Sequence, residues 1–265
     1  MAWAGSFHGM HRLVACLLPG GAQFVDELRR VWDDGDALLP IDLRLPLEAQ
    51  RRLIDTMGAE LLVDDQGRRS TGSGFPVEDS DALVMATSGS TGEPKGVVLT
   101  HGAVRANALA TSAYLEVDAT RDKWLSCLPL SHVGGLSVVF RALLTSTPLE
   151  VHGAFDAKAA ENAARGGATL ASFVPTAMAR VDTSLFRKIL VGGSAVPADL
   201  PPNAVATYGM TETGSGVVYD REPLDGVQIR IVDGEIQLRC PMLLRCYRDG
   251  TDPRTTDGWY PTGDA

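Results

Sequence analysis

Thr87-Ser88-Gly89-Ser90-Thr91-Gly92-Glu93-Pro94-Lys95-Gly96 separates two apolar runs, Ala82-Leu83-Val84-Met85-Ala86 and Val97-Val98-Leu99. The pattern predicts a strand, a loop and a second strand. Glycine lets a backbone turn tightly and present its N–H groups. Successive N–H groups in such a loop form a nest for anionic oxygens. The hydroxyls of Thr87, Ser88, Ser90 and Thr91 add donors, and Lys95 adds a positive charge. A polyphosphate is the ligand that suits this loop best. A Walker-type loop needs Gly-Lys followed by Ser or Thr at the opening of a helix. Here Pro94 precedes the lysine and Gly96 follows it, so that pattern is not met. A flexible Ser/Gly linker would not place a lone lysine between two strand-like runs.

Outward from the loop, strands and helices alternate. Residues 37–42 and 60–63 read as strands around a helix-spaced stretch at 46–57, with Leu47, Leu53, Ile54 and Met57 on one side. Residues 64–80 are polar and read as a loop or boundary. After the loop come a helix at 101–115, a strand at 124–128, an apolar helix at 133–144 and a short strand at 149–151. A helix at 157–164, a strand at 170–174, a helix opened by Pro175 and a strand at 188–191 follow. This alternation predicts an α/β fold with doubly wound, mostly parallel sheets covered by helices. From 208 onward the strands shorten, at 216–219, 227–232 and 235–239, and Asp233-Gly234 is a hairpin turn. A small antiparallel β subdomain is expected there. The implied division is 1–80, 81–207 and 208–265.

At 265 residues the chain can bury a sizeable core, and 45% hydrophobic with 22% charged residues is ordinary for a globular protein. With 24 basic and 33 acidic residues the net charge is −9, which leaves no electrostatic footprint for nucleic acid. A phosphate ligand would have to be held by local donors and a divalent metal. Cys16, Cys127, Cys240 and Cys246 form no C-x-x-C pair, which predicts free thiols and a cytoplasmic setting. The apolar run 13–18 is too short for a signal peptide. No run approaches the ~20 residues of a membrane span. A homodimer stays open.

Three more segments carry chemistry. They are Gly192-Gly193-Ser194-Ala195, Tyr208-Gly209-Met210-Thr211-Glu212-Thr213 and Gly258-Trp259-Tyr260-Pro261-Thr262-Gly263-Asp264. Taken alone, Lys95 is either a solvated loop lysine or a phosphate contact. Glu212 is either a surface carboxylate or a Mg²⁺ ligand, since Mg²⁺ prefers one or two carboxylates plus phosphate oxygens and water. Tyr208 is either a core tyrosine or a face for a flat base.

In this order the four segments resemble the adenylate-forming superfamily of acyl-CoA synthetases, aryl-acid ligases, luciferases and nonribosomal adenylation domains. Every position of that family's phosphate-loop pattern is filled at 87–96. The resemblance runs from about residue 38 to the end. It implies ATP, Mg²⁺ and CoA as cofactors and co-substrates, and a small carboxylic acid as substrate. The nucleotide would be held by Thr87, Ser88, Gly89, Ser90, Thr91, Gly92 and Lys95. Gly193 and Ser194 would give backbone edges to adenine, and Tyr208, with Gly209 and Met210, would stack on it. Thr211 would lie on the phosphate, Glu212 on the metal and Asp264 on the ribose. Catalysis would be charge stabilisation and alignment by Lys95, His132, Thr211 and Glu212, with no covalent enzyme intermediate.

His132 lies in Pro129-Leu130-Ser131-His132-Val133-Gly134-Gly135, a strand-to-helix junction of the kind where doubly wound folds gather ligands. The family's Pro-Leu-x-His element borders the acyl pocket there, and Gly134 and Gly135 would leave room for a substrate ring. Arg141 interrupts an apolar helix, as a snorkelling rim residue or as an anion ligand; the sequence leaves both open. The stretch from His132 to Arg141, with Thr213-Gly214-Ser215-Gly216-Val217-Val218-Tyr219-Asp220, is most similar to o-succinylbenzoate–CoA ligases of menaquinone biosynthesis. This implies an aromatic dicarboxylate touched by His132, Gly135, Arg141, Gly209 and Ser215. The other expectations are an aryl- or medium-chain acid–CoA ligase and, from a different class, a nucleotide- or ligand-binding module without turnover. Family members continue past the aspartate matched by Asp264 into a smaller lid domain with a catalytic lysine. The expectation is therefore a large domain without that lid.

Overall fold

The computed structural model describes residues 11–88 and 94–265. Gly89, Ser90, Thr91 and Gly92, expected to cradle phosphate, lie outside the described residues. The chain opens with strand β1 (Leu13–Cys16), helix α1 (Ala22–Asp33), β2 (Ala37–Pro40), α2 (Leu47–Met57), β3 (Leu61–Asp64) and β4 (Gly67–Ser70). The phosphate-loop strands β5 (Asp81–Ser88) and β6 (Pro94–Thr100) follow, then α3 (His101–Tyr114). A second series holds β7 (Trp124–Ser126), α4 (Val133–Thr145), β8 (Leu149–Val151), α5 (Ala157–Arg165), β9 (Leu170–Phe173), α6 (Pro175–Met178) and β10 (Lys188–Val191). The last elements are β11 (Ala204–Met210), β12 (Ser215–Tyr219), β13 (Glu222–Pro223), β14 (Gln228–Val232), β15 (Glu235–Arg239), β16 (Cys246–Tyr247) and β17 (Tyr260–Pro261).

Among the described residues these strands make two seven-stranded sheets and one three-stranded sheet. The first runs β16-β6-β5-β2-β1-β3-β4, and the second β13-β12-β11-β10-β9-β7-β8. The short apolar run near the start is β1, wholly buried and parallel to both β2 and β3. It reads as an unbroken apolar run because both faces of a parallel sheet are covered by helices. Residues 64–80, expected as loop, contain β4, which folds back antiparallel on β3. The sheets cut across a division at 80 and 207. Strand β5 pairs with β2, β11 pairs with β10, and β16 returns to β6 through Cys246↔Val98 and Tyr247↔Val97.

Helix α2 covers one face of the first sheet, where Leu53, Ile54 and Met57 meet Leu13, Leu39 and Val98. The other face packs on α1, α3 and α4, with Phe24, Leu28, Val104, Val139 and Phe140 against Val14, Leu83 and Val97. Helix α4 also faces the second sheet, where Val138 and Ala142 meet Trp124, Leu170 and Leu190. Helices α5 and α6 close its far side with Ala160, Ala163 and Ala177 against Leu125, Ala171 and Ile189. The order is helix, sheet, helix, sheet, helix. Local signals fit these elements. Thr100 accepts the Ala103 N–H at the start of α3, Asp156 accepts the Ala159 N–H at the start of α5, and Pro175 opens α6.

The hairpin β14–β15 turns at Asp233-Gly234, both at positive φ, and β17 adds to β15. This is the small antiparallel sheet expected near the C-terminus, except that the strand expected at 216–219 is β12, which pairs with β11 in the second sheet. Cys16, Cys127, Cys240 and Cys246 are free. Burial pushes the thiols of Cys16 and Cys127 up to about 12, so both are packing residues at neutral pH. Among the described residues no helix is long and apolar enough to cross a membrane.

Candidate active site

Parallel strands of an open α/β sheet deliver their loops to one edge, and ligands bind outside the carboxyl ends. At that edge of the second sheet the ends of β9, β10 and β11 meet the start of α4. A cavity of about 110 Å³ opens there, lined in part by Gly134, Arg141, Phe173, Gly193, Gly209 and Ser215. It therefore joins residues expected on two different ligands. Gly193 is expected on adenine, Gly134, Arg141 and Ser215 on the acid, and Gly209 on both.

Arg141 is 1% exposed. Its Nη2 donates to Ser215 Oγ at 2.7 Å and to Tyr219 Oη at 3.5 Å, and its Nη1 donates to Ser172 Oγ at 3.5 Å. Ser215 in turn donates to Ser137 Oγ at 3.1 Å. The guanidinium lies 5.6 Å from the Trp124 ring centroid. Among the described residues Nε has no hydrogen-bond partner and no carboxylate pairs with this guanidinium. Burial pulls it below its ordinary value, against a smaller opposing effect of Tyr219. A charge held only by neutral hydroxyls is costly. An anion in the cavity would offset that cost.

Gly209 permits a close approach of backbone to backbone. A Cβ there would lie 2.2 Å from the Ser215 carbonyl oxygen and 2.6 Å from Gly216 Cα. The β11–β12 ladder shifts register between Tyr208 and Gly209, which brings Ser215 under Arg141. Asn107 of α3 fixes the same hairpin by donating to the carbonyls of Thr213 and Gly216.

Among the residues expected on the nucleotide, Tyr208 Oη donates to Asp264 Oδ2 at 2.7 Å, across 56 residues. Burial, and then the neighbouring Asp264 carboxylate, push the phenol up to about 12 although Thr262 opposes them, so it stays protonated and donates. Thr211 and Glu212 form a short turn whose backbone is closed by Met210 N–H donating to Thr213 Oγ1 at 3.0 Å. Tyr247 Oη donates to Glu212 Oε1 at 3.1 Å. Lys95 Nζ stands 5.0 Å from the centroid of the same Tyr247 ring. Thr87 is the cross-strand neighbour of Lys95.

Not every expected residue joins this cavity. His132 caps α4 but its side chain is exposed, with Nε2 3.2 Å from Arg44 Nη2 and 3.8 Å from Asp42 Oδ2. It lines a separate crevice with Thr87, Pro94, Leu45 and Arg52. Gly135 does not make room for a ring. A Cβ there would lie 2.5 Å from the carbonyl oxygens of both Leu128 and Pro129, so it is a packing glycine, while Gly134 faces the cavity. Ser194 is exposed beside Gly193. Tyr247, Tyr219 and Ser172 were not singled out from the sequence. Tyr247 sits in no motif, and it reaches Glu212 only because β16 crosses back to β6.

Among the described residues no cluster of three or more His, Cys, Asp or Glu side chains could hold a metal. The single carboxylate of Glu212 suits Mg²⁺ arriving with a nucleotide, since that ion keeps waters and takes phosphate oxygens with one or two carboxylates.

Residues 59–241 match the AMP-binding enzyme family. A protein of Mycobacterium tuberculosis named as a probable 2-succinylbenzoate–CoA ligase is 34% identical over 215 residues, covering 72% of this chain and 55% of its own. The 2-succinylbenzoate–CoA ligase of Enterococcus faecalis is 31% identical over 227 residues, covering 70% of this chain and 47% of its own. The chain thus spans about half the length of these relatives. The solved structure of Bacillus subtilis o-succinylbenzoate CoA synthetase with the acyl-adenylate intermediate OSB-AMP superposes with a TM-score of 0.83 at 23% identity, over 97% of this chain and 66% of that one. The likeness extends the shared architecture to nearly the whole chain. By the match over 59–241 and by its named relatives, this chain belongs to the AMP-binding enzyme family.

Proposed function

We propose that these residues carry the substrate-binding and aligning share of an AMP-forming acid–CoA ligase whose acid is o-succinylbenzoate. A carboxylate oxygen of the acid attacks the α-phosphorus of ATP. The bond from that phosphorus to the pyrophosphate oxygen breaks, giving acyl-adenylate and pyrophosphate. CoA thiol then displaces AMP from the acyl carbon. Mg²⁺ with Glu212 would neutralise charge on the phosphates, and Lys95 would add a point charge there. Tyr208 would face adenine and Asp264 would accept from the ribose hydroxyls. The rate of that attack would come from alignment and charge stabilisation. Free buried thiols suit a cytoplasmic setting for this reaction.

Arg141 carries the choice of acid. A buried cation with hydroxyl partners, opening on a cavity that also holds Phe173 and Gly134, fits an aromatic acid with a second carboxylate. The named relatives act on such an acid, which supports the same reading. Calorimetry with Mg·ATP, and thermal shifts with a panel of acids, test it. Binding of Mg·ATP should weaken in Lys95→Ala and Asp264→Ala. Stabilisation by o-succinylbenzoate should exceed that by benzoate or octanoate. Equal or greater stabilisation by a monocarboxylate would overturn the choice of acid.

A further inference from the structure

The side chain of Tyr247 touches two residues that the proposed function places on different parts of Mg·ATP. Its hydroxyl donates to Glu212 Oε1 at 3.1 Å, and its ring lies 5.0 Å below Lys95 Nζ. Its hydroxyl is also 3.5 Å from that of Tyr260. The position is held from several directions. Cys246 and Tyr247 pair with Val98 and Val97 of β6. The Arg248 N–H donates to the Gly96 carbonyl at 2.7 Å, directly beside Lys95, and the Tyr247 N–H donates to the Thr251 carbonyl at 2.8 Å. The backbone of Glu212 is tied to the same segment, its carbonyl accepting from the Leu244 N–H at 2.7 Å. Segment 244–248 therefore bolts the turn bearing Glu212 to the strand bearing Lys95.

We propose that Tyr247 is a positioning residue for metal-bound nucleotide. Its hydroxyl fixes the rotamer of the Glu212 carboxylate, and its ring holds the Lys95 ammonium over the phosphate side. The physical need is clear on both counts. A lone carboxylate ligand on a short turn has many rotamers, and a hydrogen bond to one oxygen aims the other lone pairs. Partners of this kind commonly change metal affinity by about 10–100-fold. A lysine is a flexible point charge, and an aromatic face attracts it within ~6 Å. The proposal rests on the reading of Glu212 as metal ligand and Lys95 as phosphate contact.

The two halves of the proposal separate experimentally. Tyr247→Phe keeps the ring and removes the hydroxyl, whereas Tyr247→Leu removes both. ATP binding is measured by calorimetry in EDTA and across a Mg²⁺ titration, with the melting temperature of the ligand-free chain alongside. In Tyr247→Phe, the Mg²⁺ concentration for half-maximal tightening should rise roughly tenfold, while affinity in EDTA and the melting temperature stay unchanged. In Tyr247→Leu, affinity in EDTA should fall as well. Glu212→Gln should lose the Mg²⁺-dependent gain altogether. If Glu212→Gln loses that gain and Tyr247→Phe keeps the normal Mg²⁺ requirement, Tyr247 does not position the ligand and the proposal is overturned. It is equally overturned if Tyr247→Phe weakens binding alike with and without metal as its melting temperature drops, since that marks a merely structural contact. If Glu212→Gln leaves the Mg²⁺ response intact, or the unmodified chain binds no ATP, the nucleotide-site reading falls and takes this proposal with it.

Discussion

Arg187 and Arg141 both pack near the second sheet, and among the described residues Arg187 meets a carboxylate and Arg141 does not. Arg187 holds Asp122 through Nε and Nη2, both at 2.8 Å, and Asp122 is fully buried. Arg245 does the same for buried Asp81 at 2.8 and 2.9 Å, joining the segment before β16 to the start of β5. These pairs are closed, since each bidentate fork satisfies the carboxylate and leaves nothing to offer a ligand. Arg141 is more buried than either arginine, yet it has Ser215, Ser172 and Tyr219 instead of an acid. The closed pairs fasten strands and loops, whereas the open arginine sits where three strand ends leave a cavity. Burial without a counter-charge, more than burial itself, separates the arginine proposed to bind from the fastening ones.

Breaking a closed pair should have the largest effect. Arg187→Ala leaves Asp122 buried without its partner and should cost about 3–5 kcal/mol in urea unfolding. The pH dependence should change with it. Burial raises the Asp122 pKa, but the Arg187 hydrogen bond, with help from the Asp118 N–H and the Thr169 hydroxyl, holds it below its usual value. A depressed folded pKa contributes stability that is present above the unfolded value, about 3.9, and lost as pH falls through the folded one. Without Arg187 the folded pKa rises toward or past the unfolded one, so the variant's deficit should be largest at neutral pH and shrink as acid protonates Asp122.

Arg141→Met should behave in the opposite way. It removes a buried, unpaired charge, so the ligand-free melting temperature should hold or rise. Binding of o-succinylbenzoate should fall about 10–100-fold, the loss expected for one charge-assisted contact, and preference over benzoate should vanish. A clear drop in ligand-free stability would class Arg141 with the fastening arginines and erase the contrast.

Gly209→Ala tests how the open site is assembled. The new Cβ would strike the Ser215 carbonyl and Gly216 Cα, so the hairpin must open at about 1–3 kcal/mol in thermal unfolding. Because Ser215 then withdraws from Arg141, acid binding should weaken in the same variant.

The smallest effect belongs to a solvent-side pair. Arg44 donates to Asp42 from Nη2 at 2.6 Å and holds its carboxyl down at about 2, although Arg44 is 65% exposed. Asp42→Asn should cost under about 1 kcal/mol at neutral pH. The Asp42 share of stability is present above about 3.9 and lost on descent toward pH 2, so the variant's stability should be flatter over that window.

Much of this molecule is legible along the chain. Alternating apolar runs announce the second sheet, and Lys188–Val191 and Leu149–Val151 are strands with the expected bounds. Asp233-Gly234 announces the last hairpin. These features are local, since turn chemistry and burial on both faces are written into neighbouring residues. The start of the chain was less legible. Leu13–Cys16 is too short to distinguish a core strand from any other apolar run, and its place between β2 and β3 rests on pairing across some 25 to 50 residues.

The motif residues were named by the sequence, but their grouping was decided by the tertiary structure. Sequence order placed His132 and Gly135 beside Arg141. His132, the extended residue just before α4, points out to Arg44 and Asp42, whereas within the helix Gly135 presses on the Leu128 and Pro129 carbonyls and Arg141 faces the cavity. The physical reason is helical geometry, which turns neighbours in sequence by about 100° each. The anion-ligand and rim readings of Arg141, equal in sequence, part only when its burial and hydroxyl partners are seen. Tyr247, silent in sequence, gains its contacts because β16 pairs with β6 some 150 residues earlier. The chain alone determined which residue types could hold a phosphate, a metal and an acid. Only packing decided which of them meet, because a site's geometry is a sum of long-range pairings that no local pattern encodes.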